Sequence, residues 1–308
     1  MILCAGEALI DMLPRQTAAG EDAFRPVAGG AVFNTAIALG RLGAPAGMLT
    51  GLSTDFFGDI LTDTLDASNV DHGLAVRADR PTTLAFVRLV DGHASYAFYD
   101  EGTAGRMLTA DALPDLPDHV TAVFFGGISL MAEPCGTAYE TLMRRAADAG
   151  RVTMLDPNIR PSFIRDVAAY REKIARMIAM ADIVKLSDED LAWFGGTGTP
   201  AEQVRAMMDG GPSLVCITEG ARGVTGHTPG GEVFVRARRA EVVDTVGAGD
   251  TFNAGVLASL HAAGLLTKDR VRALPSAAVE AALDLGARAA AVTVARAGAN
   301  PPWAEELG

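Results

Sequence analysis

The chain has 308 residues, 49% of them hydrophobic, with 26 Lys and Arg against 38 Asp and Glu for a formal net charge of −12. Nucleic acid and anionic membrane surfaces select clustered Lys and Arg, so this balance excludes both as partners and leaves small molecules as the expected ligands. Glu7 and Asp11 interrupt the first apolar stretch, and uncharged runs such as Thr251–Leu266 fall short of the roughly 20 apolar residues that span a bilayer, so neither a leader nor a membrane anchor is expected.

Short runs at Ile2–Ala5, Gly47–Leu52, Val120–Phe125, Val152–Leu155, Ile183–Leu186 and Leu214–Ile217 read as strands, most of them apolar on both faces. Between them lie segments of helical period near Ala31–Leu42, Phe56–Ser68, Thr137–Ala149, Val167–Met180 and Ala201–Met208, and the tail from Ala248 to Val294 reads as helical. This alternation predicts a single α/β unit with a mostly parallel sheet between helices. Thr82–Val90 and His93–Tyr99 alternate around Asp91-Gly92, a hairpin signal, and are expected to project as a small β lid to which residues near 12–28 contribute. A second hairpin is expected over 223–237, turning at Pro229-Gly230-Gly231. Cys4, Cys135 and Cys216 are odd in number and far apart, which suits a reducing cytoplasm rather than disulfides or zinc.

Four segments carry chemistry. In Asp244-Thr245-Val246-Gly247-Ala248-Gly249-Asp250-Thr251-Phe252-Asn253 a strand edge enters a small-residue turn and then a helix. Free N–H groups at a helix start attract an anion, and Asp250 in that first turn is placed to accept a proton from an attacking hydroxyl. Gly29-Gly30 before a helix brings backbone close to a ligand, and Asn34 offers a donor and an acceptor. Asp11, just after the first strand, can accept from two vicinal hydroxyls. The third segment is Lys185-Leu186-Ser187-Asp188-Glu189-Asp190 and the fourth Ile217-Thr218-Glu219-Gly220-Ala221-Arg222-Gly223, each at a strand end. Arg106 and Lys185 are charged residues near these segments, but a solvated surface role suits them at least as well and neither is placed in the catalytic set; the five His have no metal spacing.

The string Asp-Thr-x-Gly-Ala-Gly-Asp-Thr-Phe, with Gly29-Gly30 and Asn34 near the start, resembles the signatures of the ribokinase-like (PfkB) carbohydrate kinases, and the resemblance runs from Gly6 to the loop at Gly298. It implies a ribokinase-like three-layer αβα sandwich with a β lid, and transfer of the γ-phosphoryl of ATP, with Mg²⁺, to a primary sugar hydroxyl. By that resemblance Asp250 is the catalytic base, and the Gly247, Ala248 and Gly249 amides hold the phosphoryl group. The sugar meets Asp11, Gly29, Gly30, Asn34, Phe98 and Arg160, and the nucleotide meets Ser187, Thr218, Glu219, Gly220 and Gly223. Asp190 serves Mg²⁺ indirectly, although this chain has Ser187-x-x-Asp190 where family members usually show Asn-x-x-Glu. Asp244, Val246, Arg296 and Gly298 would enclose K⁺, mainly through backbone. Several stretches, among them Gly6–Asp11 and Asp156–Arg160, are most similar to fructokinases. The close rival substrate is 2-keto-3-deoxygluconate, whose carboxylate Arg160 could bind and Asp100 would repel if it faced the pocket. A nucleoside kinase and a non-catalytic sugar sensor are the more remote readings. A lid with an exposed apolar face favours a homodimer.

Overall fold

The computed structural model describes residues 1–90 and 93–308, with side chains outside 88–96. The expected turn at Asp91-Gly92 and the side chain of Tyr96 lie outside the described residues. In chain order the strands are β1 (Ile2–Ala5), β2 (Leu9–Gln16), β3 (Asp22–Gly29), β4 (Ala46–Leu49), β5 (Gly51–Ser53), β6 (Val70–Asp71), β7 (Val76–Ala78), β8 (Leu84–Val90), β9 (His93–Tyr99), β10 (Ala122–Gly126), β11 (Val152–Asp156), β12 (Ile183–Ser187), β13 (Leu214–Thr218), β14 (Gly223–Thr228) and β15 (Gly231–Arg236). The helices are α1 (Ala31–Arg41), α2 (Phe56–Asp66), α3 (Cys135–Asp148), α4 (Val167–Met180), α5 (Asp188–Phe194), α6 (Pro200–Met208), α7 (Ala248–Ala262), α8 (Lys268–Val271) and α9 (Ser276–Val294).

Nine strands form the main sheet in the order β15-β14-β13-β12-β11-β10-β1-β4-β6, parallel from β13 to β6, with the hairpin β14–β15 antiparallel at one edge. Successive side chains of a strand point to opposite faces, and β1 shows the consequence. Ile2 and Cys4 pack in one core with Phe33 of α1, Leu257 of α7 and Leu283 of α9, whereas Leu3 and Ala5 pack in another with Tyr139 of α3 and Ile174 of α4. Both layers are apolar, which is why the parallel strands read as continuous hydrophobic runs. The sequence order reverses across β1, with β10 on one side and β4 on the other, and that switch point opens a crevice at the carboxyl ends of the strands.

A second sheet, β3-β2-β8-β9, stands over this crevice. Its register places Val27, Asp11, Ala85 and Phe98 in one row across four strands. On its opposite face Phe86 meets Phe24 and Tyr99 edge-on, at centroid separations of 5.1 and 5.4 Å.

Two expected elements differ. Gly47–Leu52 is not one strand: it divides at Thr50, β4 staying in the main sheet and β5 pairing with β7. At Gly51 a Cβ would stand 2.0 Å from the Ala104 carbonyl oxygen, so another chain segment lies against the bare backbone there. The helical tail is three helices, because Gly264 takes φ +67 just past the end of α7 and Pro275 starts α9.

Helices α7 and α9 cross almost backbone to backbone: a Cβ on Gly255 would lie 2.5 Å from Gly286 Cα. Gly255→Val therefore forces the helices apart and is expected to lower unfolding stability by about 1–3 kcal/mol, measured by denaturant titration. Because α7 begins at the crevice, the same variant should lose activity beyond its loss of folded protein.

Candidate active site

The turn before α7 is built around Gly247, which caps the helix at φ +78; a Cβ there would meet Ala299 Cβ at 2.7 Å. Asp244 fixes the turn by accepting hydrogen bonds from Val246 N (3.0 Å) and from Gly298 N (2.9 Å) of the C-terminal loop. The first N–H groups of a helix have no intrahelical partner, so the start of α7 is suited to take an anion. Ala248 N makes only a long contact of 3.4 Å to Thr245 O.

Asp250 follows in the first turn and is buried. One carboxylate oxygen accepts from Asn34 Nδ2 of α1 at 2.9 Å, and its backbone oxygen accepts from Thr35 Oγ1 at 3.2 Å. Burial pushes its pKa up to about 7; Asp156 and Glu7 add to the rise, while the Asn34 hydrogen bond and the Lys185 charge oppose it. Burial likewise lifts Asp11 to about 6. Asp11 lies against Gly29, where a Cβ would be 2.3 Å from Asp11 Oδ2, so Gly29 makes room for the carboxylate rather than lining the cavity itself.

Glu7 was assigned no role from sequence, yet it organises the crevice. Its two oxygens accept from Ala31 N at the start of α1 (3.1 Å) and from Ser129 N after β10 (3.2 Å). The glycines beside it follow from this: Gly30 takes φ +109 with the Glu7 carbonyl 2.9 Å from where a Cβ would sit, and Gly127 takes φ +70 with Glu7 Oε1 at 2.0 Å.

Two cavities meet at this turn. The larger, about 860 Å³, is lined by Asp11, Gly30, Asn34, Phe98, Arg160, Lys185, Val246, Gly247 and Asp250 among others. The second, about 560 Å³, is lined by Thr218, Gly220, Gly223, Ala248 and the apolar faces of α7 and α9. Thr245 and Gly249 border both. Glu219 lies outside the second cavity, its carboxylate paired with Arg222 at 2.9 Å. Ser187 also lies outside it: Ser187 and Asp190 close a capping box at the start of α5, and the other Asp190 oxygen accepts from Ile159 N at 2.9 Å. The unusual Ser187-x-x-Asp190 pair is thus a helix cap in its own right. The Arg296 side chain pairs with Glu306 on the surface, leaving only its backbone near Gly298.

Three readings of charged residues are corrected. Lys185 is not a surface charge: it is 5% exposed and held 3.1 Å from Asp156, whose same oxygen accepts from Asn253 Nδ2 at 2.7 Å. A charge inside a strand apolar on both faces was the available signal. Arg106 is not free in solvent but paired with Asp100 at 2.9 Å. Asp100, paired with Arg106, lines a neighbouring cavity and not the larger one, so it does not face a substrate there. Phe98 separates the two, edge-on to Phe163 at 4.5 Å.

Comparison with known proteins agrees with this geometry. Residues 1–306 match the model of the pfkB family carbohydrate kinases. The chain is 56% identical over 279 residues to a fructokinase of Rhizobium leguminosarum bv. trifolii, covering 91% of this chain and 85% of that protein. The crystal structure of the Xylella fastidiosa fructokinase with bound ATP superposes with a TM-score of 0.88 at 30% identity, over 99% of this chain and 96% of that one. The aminoimidazole riboside kinase of Salmonella enterica, complexed with aminoimidazole riboside and an ATP analogue, superposes with a TM-score of 0.84 at 26% identity, over 99% and 98%. With its full fold and nearly all its length matched, this chain belongs to the pfkB family of carbohydrate kinases.

Proposed function

We propose that the protein is a fructokinase that transfers the γ-phosphoryl of ATP to a primary hydroxyl of fructose. The observation that carries the reading is the junction of the two cavities at Thr245 and Gly249, with Asp250 on the wall of the larger one. Identity of 56% to a fructokinase favours the ketose over the other sugars of the family. ATP would occupy the second cavity, its base against the α7 and α9 faces, its phosphates directed to the α7 start. Fructose would occupy the larger cavity under β2 and β9, oriented by Asp11, Asn34 and Arg160.

In this mechanism Asp250 accepts the hydroxyl proton as the oxygen attacks phosphorus, and the Gly247–Gly249 amides stabilise the charge that develops on the phosphoryl oxygens. Both the base and its partner Asn34 are rigidly held, which keeps the attacking oxygen in line. Closure of the β3-β2-β8-β9 sheet would exclude water and suppress ATP hydrolysis. No group of three or more His, Cys, Asp or Glu among the described residues is arranged to hold a metal. A magnesium ion would arrive with ATP, held mainly by phosphate and water; Asp190, whose oxygens accept from Ser187 and Ile159, would act on it only from a distance. Such an ion would neutralise phosphate charge. Asp244 ties the 244–246 turn to Gly298, bringing together the backbone that would surround K⁺. The aromatic row of exposed Phe24 and Tyr99 around half-buried Phe86 would seat a second copy of the chain, giving a homodimer, and the three buried thiols suit a reducing cytoplasm.

ATP-dependent product formation across fructose, 2-keto-3-deoxygluconate, ribose and aminoimidazole riboside tests the substrate: fructose should exceed the others by at least about tenfold in kcat/KM, and a preference for the keto acid would assign Arg160 to a carboxylate instead. Asp250→Asn should keep the fold and lose at least about 100-fold in kcat. Since the base must be ionised, kcat/KM of the parent should fall as pH drops through about 7. The raised pKa also means that the folded protein holds this proton more tightly than the unfolded chain, so its contribution to stability declines as pH rises from the ordinary carboxylate range to about 7. Asp250→Asn should therefore melt above the parent at pH 8, with the gap narrowing toward pH 5 in thermal scans.

A further inference from the structure

Lys185 lies in β12 between Val184 and Leu186, both fully buried, where an ammonium costs desolvation unless something compensates it. Its charge is maintained: burial works against it, but Asp156, Asp190 and Asp250 together hold its pKa above the ordinary lysine value. Asp156 does not use up the group. An ammonium has three donors, and among the described residues Lys185 makes one hydrogen bond, to Asp156 Oδ2. The remaining donors belong to a side chain that lines the larger cavity beside Asp250 and Gly249. A Cβ built on Gly249 would stand 3.2 Å from Lys185 Nζ, so the ammonium lies against the first turn of α7. Asp156 is fixed in turn by Asn253 Nδ2 at 2.7 Å and Asn158 N at 3.1 Å, leaving the lysine little freedom to swing away. A buried ion pair kept for stability alone could be replaced by apolar side chains at little cost. The wall of the larger cavity carries Glu7, Asp11 and Asp250 against Arg160 and Lys185, and a γ-phosphoryl group reaching it across the Gly249 turn needs cations.

We propose that Lys185 is a further catalytic residue, whose ammonium donates to the transferring phosphoryl group at the Gly249 turn while Asp156 and Asn253 hold it in place. This rests on the kinase reading above. The sugar oxygen forms its bond to the γ-phosphorus and gives its proton to Asp250. The bond from that phosphorus to the bridging oxygen breaks, its electron pair leaving on ADP. Lys185 keeps its proton and offsets the charge that builds on the phosphoryl oxygens.

The test compares the full-length parent with Lys185→Met, Asp156→Asn and the double variant in the fructose assay, with folding followed by circular dichroism. Lys185→Met should lose about 100-fold in kcat, the loss typical of a single oxyanion donor, with KM for fructose within about threefold. The double variant removes the carboxylate left unpaired in Lys185→Met, so it controls for misfolding; it should stay about 100-fold below Asp156→Asn in kcat. The acid limb of kcat/KM should move to higher pH in Lys185→Met and to lower pH in Asp156→Asn, since the two charges act on Asp250 in opposite senses. Recovery of the double variant to within about threefold of Asp156→Asn would show that Lys185 merely neutralises Asp156, and would overturn the assignment while leaving the kinase reading intact. A parent that phosphorylates none of the sugars offered would overturn both.

Discussion

The structure depends on where α7 begins. Its first turn carries the proposed base, borders both cavities and presents the amides proposed to hold the phosphoryl group, so a shift of that helix would misalign all three together. Four contacts fix it. Gly255 and Gly286 let α9 approach to backbone contact, Asp244 ties the preceding turn to the C-terminal loop, Gly247 supplies the left-handed cap, and Asn34 and Thr35 of α1 hold Asp250 itself. Segments about 215 residues apart in the chain are thus joined by two hydrogen bonds at the point of chemistry.

Glu7 plays the corresponding part on the other side of the crevice. One carboxylate bridges the start of α1 to the turn after β10, and two glycines with positive φ flank Glu7, since a Cβ on Gly127 would strike the carboxylate and one on Gly30 the Glu7 carbonyl. Its cost is desolvation, which raises its pKa despite the backbone donors. A buried acid with both oxygens occupied is well suited to positioning, since it has a defined geometry and few alternatives.

Charge in the crevice is arranged rather than neutralised. Asp156, Asp190 and Asp250 lie close enough to act on one ammonium, and the resulting field keeps Lys185 protonated while Lys185 restrains the rise of the Asp250 pKa. A carboxyl group with a pKa near neutrality beside an ammonium suits the proton abstraction proposed for it. Burial supplies both properties, because the same low dielectric that lifts the carboxylate pKa strengthens the attraction between the pairs.

The layer architecture, and several of the residues that line the two cavities, were legible in the amino-acid chain alone. Apolar runs on two-sided strands, the Gly-Ala-Gly-Asp string, the Gly-Gly pair before α1 and the turn after β13 are short-range signals, and they pointed to Asp250, Gly30, Asn34, Thr218, Gly220 and Gly223, all of which line the two cavities. Gly264 and Pro275, which divide the C-terminal helices, were also visible as residues, but an apolar helical period runs across them. The remaining features came from contacts between segments far apart in the chain. Whether Lys185 faces solvent or a cavity depends on Asp156 and Asn253, 29 and 68 positions away in the chain. The direction of Asp100 depends on Arg106, and the use of Glu7 depends on two amides from separate elements. Local pattern fixes which face of an element is apolar; the partner of a charged side chain is chosen by the packing of elements distant in sequence, and no window along the chain contains it.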